Sequence, residues 1–264
     1  DADAQLNENS LIRLVTFAIE GGWSAVQLRK SVINSKVNLL TRCQAMEMAM
    51  DAVIQSGRFG QGGVVELRGN GQFVKRKDLE KCGGFNEDTV TDDLDLSFRL
   101  LLSGAMVNIL WDPPVEEEAV ESVSALWKQR QRWAEGGLQR FFDYWPLLIS
   151  NKLNFLQRRD LTCFFLLQYV LPTVSLLDCL FAFTTASLPN YWPLSFVAFS
   201  ISGLAFWRGC NGLNEGPEMP NPIPLNLFLA IIYLAHWFIV IPWVTLRMAI
   251  FPKKLVWIKT IHQG

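Results

Sequence analysis

Residues 161–251 are dominated by Leu, Phe, Ile, Val, Ala and Trp and carry very few charges, whereas residues 1–150 are mixed and charged. That asymmetry constrains the chain more than any other feature. The hydrocarbon core of a bilayer takes about 20 consecutive apolar residues per helix, and three stretches are candidates. Residues 161–185 are long enough to span, 191–207 are short enough to be re-entrant, and 225–251 are long with Pro242 inside. Gln168, Asp178 and His236 interrupt these stretches. Asp178 is the costliest, because a carboxylate in lipid needs a partner or a proton. A place near the outer interface is its ordinary explanation and a functional role the alternative. Lys152, Arg158 and Arg159 before the first stretch favour the cytoplasmic side, as do Lys253, Lys254 and Lys259 after the last. Three crossings would separate the two clusters, so either one stretch does not span or the last makes two passes. The expectation is an integral, multi-pass membrane protein.

The charged half alternates strand and helix signals, which indicates an α/β domain. Asn9 or Ser10 can cap a helix that stops at Gly21-Gly22, and alternation through Val26, Leu28 and Val32 predicts a strand over 25–33. A helix is expected over 37–54 with Ser35 as a possible cap, then a Gly-rich loop over 57–63 and short strands over 64–67 and 72–74. A short helix leads to Cys82, a helix capped by Thr91 ends near Gly104, and a strand over 106–111 is stopped by Pro113-Pro114. A last helix of this half begins near Ser122 or Ser124 and continues towards Phe142.

Some classes drop out early. A formal net charge of −1 gives no clustered basic surface for nucleic acid. The five cysteines, Cys43, Cys82, Cys163, Cys179 and Cys210, are scattered and odd in number, and they read as free thiols. The chain opens on Asp1 with no initiator Met and no leader, and reads as a fragment cut inside a domain that neither folds stably nor acts alone.

Three constellations carry chemistry. Asp1-Ala2-Asp3 is a DxD pattern, whose two carboxylates can hold a hard divalent cation on a diphosphate, although such triplets are common by chance. Thr91-Asp92-Asp93 either places acids in the first turn of a helix, where the dipole and free amides welcome them, or supplies a general base. Gln129-Arg130-Gln131-Arg132-Trp133 either belongs to a basic interfacial helix with Trp127, Trp133, Phe141, Phe142 and Trp145 facing lipid, or offers an Arg fork to a diphosphate and a Trp face to a sugar. One helix with two faces can do both.

DxD at 1–3, TDD at 91–93, QxxRW at 129–133 and then apolar helices form an ordered set. With Gly69-Asn70-Gly71-Gln72-Phe73, Gly83-Gly84-Phe85-Asn86-Glu87-Asp88 and the run from Thr91 to Leu100, it resembles the family 2 glycosyltransferases over essentially the whole chain. This group includes cellulose, hyaluronan and poly-N-acetylglucosamine synthases and the cyanobacterial-type glucosyldiacylglycerol synthases. The resemblance implies an α/β GT-A (Rossmann-like) catalytic domain, C-terminal portion only, over 1–120. Interfacial helices carrying QxxRW would follow over 121–158, then transmembrane helices over 159–252 with two to four crossings and a cytoplasmic tail over 253–264. Asp1 and Asp3 would hold Mg²⁺ or Mn²⁺, Asp93 would be the catalytic base, and Gln129, Arg132 and Trp133 would hold the diphosphate and the acceptor end. Asp92 departs from the family's usual Glu. Trp257 to His262 loosely resembles the FxVTxK gating loop of cellulose synthase, with Thr260 the outright match. The donor would be a UDP-sugar and the reaction an inverting transfer at a cytoplasmic face.

The run from Arg132 to Trp145 and the ending from Trp257 to Gly264 look closest to glucosyldiacylglycerol synthases, which implies glucose transfer from UDP-glucose to a diacylglycerol hydroxyl. A processive β-polysaccharide synthase, acting on a glycan acceptor, is the alternative within the family. A polytopic transporter or an inactive scaffold is the alternative outside it, and either would leave the ordered motifs without a use.

Overall fold

The computed structural model describes residues 4–212 and 215–251. Its sheet has four strands, β1 (Gln5–Leu6), β2 (Ala25–Val32), β3 (Gln72–Val74) and β4 (Val107–Glu117), in the order β1-β4-β2-β3. The inner pair β2 and β4 is parallel, and the outer pairings are antiparallel. α1 (Ser10–Glu20) covers one face, packing Leu14 and Ala18 on Val26, Leu28 and Val115. α2 (Leu39–Gly60) and α4 (Asp92–Leu102) cover other parts of the sheet, with Ala45 on Val32 and Leu96 and Leu100 on Ala25. The short α3 (Arg76–Lys81) lies between β3 and α4.

Several sequence expectations change here. β2 is buried along both faces, not one, because it is an inner strand with Gln27, Arg29 and Ser31 covered as fully as Val26 and Leu28. Residues 64–67 join no ladder. They run extended beside α4, with Leu67 N donating to Ser97 Oγ at 2.7 Å. β4 passes through Pro113-Pro114, since the register shifts between Leu28 and Lys30 and the prolines fall in that irregularity, where no ladder donor is needed. Arg29 fills the gap, donating to the Trp111 carbonyl at 2.9 Å and to Asp112 Oδ1 at 2.8 Å. α2 is capped by Asn38, not Ser35, through a reciprocal capping box with Thr41, and it continues through the expected Gly-rich loop to Gly60.

α5 (Val123–Leu148) joins the two halves. Ser122 caps it, accepting from Ala125 N at 3.2 Å. Its Phe141 meets Phe98 of α4 edge-on at 5.1 Å between ring centroids. Phe141 is therefore core, whereas Phe142 and Trp145 are exposed as an interfacial helix requires. α6 (Phe155–Phe165), a π-turn (Leu166–Val170) and α7 (Leu171–Thr185) form one helix of 31 residues. α9 (Pro224–Leu234) and α10 (Trp237–Ile250) form another of 27. Both are long and apolar enough to cross a membrane, and only 28% of the most apolar window of each is buried, unlike the core helix of a soluble protein. Their exposed Leu, Ile, Phe and Trp surface marks a membrane-associated protein. The 191–207 stretch lies in a 20-residue helix, α8 (Trp192–Asn211), whose Phe206 and Cys210 pack with Met46 of α2.

Close approach between helices depends on two glycines of α5. A Cβ on Gly136 would lie 2.1 Å from Thr91 Oγ1, and one on Gly137 would lie 2.0 Å from the Tyr169 hydroxyl. Gly136→Ala should therefore cost about 1–3 kcal/mol through enforced separation of α4 and α5. Gly57→Ala on α2, where nothing lies within 4 Å of the added carbon, should instead stabilise by roughly 0.5–1 kcal/mol. Thermal unfolding of the two variants in detergent checks the opposite signs.

Candidate active site

An open cleft of about 1500 Å³ lies where β2, α2, α4 and α5 meet the apolar helices. One part of its wall is charged and carries Asp92, Asp93, Arg132, Lys30 and Arg68, together with Gln129 and Trp133. The other part is apolar and comes from the long helices, including Phe164, Leu167, Leu171, Leu234 and Ile241, and from Phe199 of α8. The structure thus brings Asp93 of α4 together with Gln129, Arg132 and Trp133 of α5. Asp1, Asp3 and Thr260 lie outside the described residues. Gln5, just after the DxD triplet, lines the same cleft and pairs with Glu116 at the end of β4.

Asp93 sits in the first turn of α4. Thr91 occupies the cap position, yet its side chain makes no cap hydrogen bond and turns towards Gly136. Burial, then the like charge of Asp92, raises the Asp93 pKa above the ordinary carboxylate value, while Lys30, the Leu94 backbone N–H and Arg68 pull the other way. A carboxylate held this way is a better proton acceptor than one in water. The Arg132 guanidinium is partly desolvated, which lowers its pKa, and it is steadied by Asp93 and Asp92. No ion pair engages Arg132 among the described residues. Gln129 Oε1 is also buried without a protein partner. Both groups therefore have unused capacity towards whatever enters.

The loop facing Asp93 is held from below. Gln27 donates to the Asn70 carbonyl at 2.8 Å and accepts from Arg68 N at 2.7 Å. Gly69, with φ of 80°, would bring an added Cβ to 3.7 Å from Asp93 Oδ2. Its positive φ is the conformation that glycine adopts without strain. Lys30 pairs with Glu117 at 2.8 Å, and Asn70 Nδ2 donates to the same carboxylate at 3.0 Å. Behind the cleft, Glu66 is fully buried. Burial alone would raise its pKa, but Arg140, Arg58 and Arg68 outweigh that and hold it at about 2.

A second buried carboxylate, Glu47 of α2, ties three elements together. It pairs with Arg130 and accepts from the Tyr233 hydroxyl at 2.8 Å and from Trp237 Nε1 at 3.0 Å. Arg130 in turn stacks on Trp133 at 4.1 Å and lies 5.5 Å from the Trp237 ring. On another face of α5, Gln131 accepts from Trp243 Nε1 at 3.2 Å and Glu135 pairs with Arg247 of α10. The QRQRW run thus divides its labour: Gln129, Arg132 and Trp133 line the cleft, while Arg130 and Gln131 bond to the second long helix. Sequence reasoning missed Glu47, Glu66, Lys30 and Gln27. A lone acid inside an apolar run, as in Ala45-Met46-Glu47-Met48-Ala49 and Val64-Val65-Glu66-Leu67, was the available signal.

The chain matches the model of the glycosyl transferase family group 2 over residues 1–250. It belongs to that family. Among curated relatives, the chain is 45% identical over 267 residues to a beta-monoglucosyldiacylglycerol synthase of Synechocystis sp., covering 99% of this chain and 56% of the relative. It is 40% identical over 268 residues to the protein of that name from Nostoc sp., covering 100% of this chain and 57% of the relative. The chain therefore spans a little over half the length of the curated relatives it matches. A solved mannosyltransferase from Pyrobaculum calidifontis, in complex with GDP-Man and Mn²⁺, superposes with a TM-score of 0.58 at 16% identity, over 96% of this chain and 61% of that one. That likeness bears out the expected α/β GT-A fold, here with a curled mixed sheet and apolar helices after it.

Glu47→Ala would leave the fully buried Arg130 without its counter-charge and should destabilise the family fold by about 3–5 kcal/mol. Tyr233→Phe removes one hydrogen bond from the same carboxylate and should cost about 1 kcal/mol. Chemical denaturation in detergent measures both, and equal effects would show that the ion pair is not the main contributor.

Proposed function

We propose that this protein is an inverting glycosyltransferase that moves glucose from UDP-glucose to the hydroxyl of diacylglycerol, giving a β-glucolipid. The observation that carries the reading is the continuity of the cleft, whose charged wall with Asp93 and Arg132 meets an apolar wall made by the long helices. A lipid acceptor can keep its chains against apolar surface while its hydroxyl reaches a carboxylate. The curated relatives named as beta-monoglucosyldiacylglycerol synthases support the same acceptor class. A glycan acceptor would call for hydrogen-bonding side chains along its path, and the Leu- and Phe-lined wall offers few of them.

In this reading Asp93 takes the proton of the acceptor hydroxyl as its oxygen attacks the anomeric carbon. The bond from that carbon to the diphosphate oxygen breaks on the opposite face, so an α-linked donor yields a β-linked product. Arg132 and Gln129, which have unused bonding capacity, meet the charge that grows on the leaving diphosphate. Trp133, steadied by Arg130, offers its ring to the sugar or acceptor head. Mg²⁺ or Mn²⁺ would be held by Asp1 and Asp3 and would neutralise diphosphate charge. The assignment is supported by Gln5, close behind the triplet in the chain, which lines the same cleft as Asp93 and Arg132. Residues 1–120 would form the catalytic part, 121–158 the interfacial helices, and 159–252 the spanning part. Residues 253–264 would form a tail on the same cytoplasmic side, with Thr260 near the donor.

Membranes carrying the protein from its complete reading frame should pass label from UDP-glucose into a chloroform-soluble lipid. Label in an ethanol-insoluble polymer would sink the reading. Asp93→Asn should abolish transfer and keep donor binding. The pH profile gives a separate check. The base must be deprotonated and its pKa is raised, so kcat/KM should fall on the acid side above the usual carboxylate range. Asp92→Asn removes the like charge and should move that limb to lower pH; an unmoved limb would show that another group sets it.

A further inference from the structure

Three polar side chains inside the apolar stretches, Gln168, Asp178 and His236, fare differently in the fold. Asp178 accepts from Asn190 Nδ2 at 2.9 Å and from the Tyr191 backbone N–H at 2.8 Å, which satisfies it. His236 Nδ1 lies 2.6 Å from the Tyr233 carbonyl. Gln168 has no hydrogen-bond partner for its amide among the described residues. It sits in the π-turn Leu166–Val170, is half-buried, and lines the cleft together with Ser202 of α8. Unmet donors and acceptors in an apolar wall are costly, and π-turns within α-helices recur at functional sites.

We propose that Gln168, with Ser202, is the subsite for the polar head of the acceptor, and that it selects a neutral lipid alcohol over a lipid phosphate. This rests on the lipid-acceptor reading above. A carboxamide offers two N–H donors and one carbonyl, which suits an ester carbonyl and a free hydroxyl side by side. Ser202 donates to the Ala198 carbonyl at 2.9 Å and keeps its lone pairs for a donor such as a hydroxyl. A phosphate would instead call for an uncommitted cation. All but one of the described cations lining the cleft are committed elsewhere. Lys30 pairs with Glu117, Arg68 with Asp51 and Glu66, and Arg140 with Glu66, while the unpaired Arg132 stands on the charged wall beside Asp93 and Asp92, where the diphosphate is read to bind. Among the described residues, the apolar wall therefore offers hydrogen bonds and no free positive charge.

The test uses the complete protein in detergent micelles with labelled UDP-glucose and two acceptors, a 1,2-diacylglycerol and a polyprenyl phosphate. The wild type should glucosylate diacylglycerol and leave the polyprenyl phosphate unlabelled. Gln168→Leu should raise KM for diacylglycerol on the order of tenfold, the loss of hydrogen bonds to a neutral group, with KM for UDP-glucose unchanged. The unchanged donor KM reports an intact fold. Glucolipid formation with an unchanged diacylglycerol KM in Gln168→Leu would overturn this inference alone. A preference of the wild type for polyprenyl phosphate would overturn it without any variant. No labelled lipid from the wild type would overturn the lipid-acceptor reading and this inference with it.

Discussion

The Glu47 carboxylate is the point at which the α/β half and the apolar half become one structure. A charge in a protein interior persists only when partners replace the water it lost. Glu47 finds them on two other elements: Arg130 on α5, and Tyr233 and Trp237 on the second long helix. None of these partners can be satisfied unless α2, α5 and that helix meet at one place. Their meeting also fixes Trp133, because Arg130 lies against its ring. One wall of the cleft is thereby set by a buried ion pair whose carboxylate lines it.

The rest of the site follows from where α5 can run. Gly136 and Gly137 let it pass against Thr91 and Tyr169 at distances no side chain would allow. That brings Arg132 into the field of Asp93 and Asp92, and it brings the π-turn of the first long helix to the cleft. Asp93 is then partly desolvated beside a like charge, the combination that makes a carboxylate basic. The electrostatics of the cleft and the packing of the helices share the same few close contacts.

Much of the fold was legible in local patterns. Helix periodicity and caps located α1, α4 and α5 to within a few residues, because their apolar faces repeat with helical spacing and turn residues flank them. Misreadings came where a tertiary contact overrode a local signal. Pro113-Pro114 should end a strand, but β4 continues because Arg29 bonds the irregular stretch beside them. The glycines at 57 and 60 should open a loop, but α2 continues through them to its end at Gly60. Phe141 looked interfacial by its neighbours, yet Phe98 covers it.

The sequence by itself determined the α/β half, the apolar half and the identity of Asp93, Gln129, Arg132 and Trp133 as residues to watch. These are properties of residue type and order, which a linear chain displays in full. Only the tertiary structure decided that these four share one cleft with the long helices, that Glu47 and Arg130 lock that arrangement, and that Asp178 is satisfied while Gln168 is not. Hydrogen bonding and desolvation depend on which distant groups arrive at a given point, and no local pattern encodes that arrival.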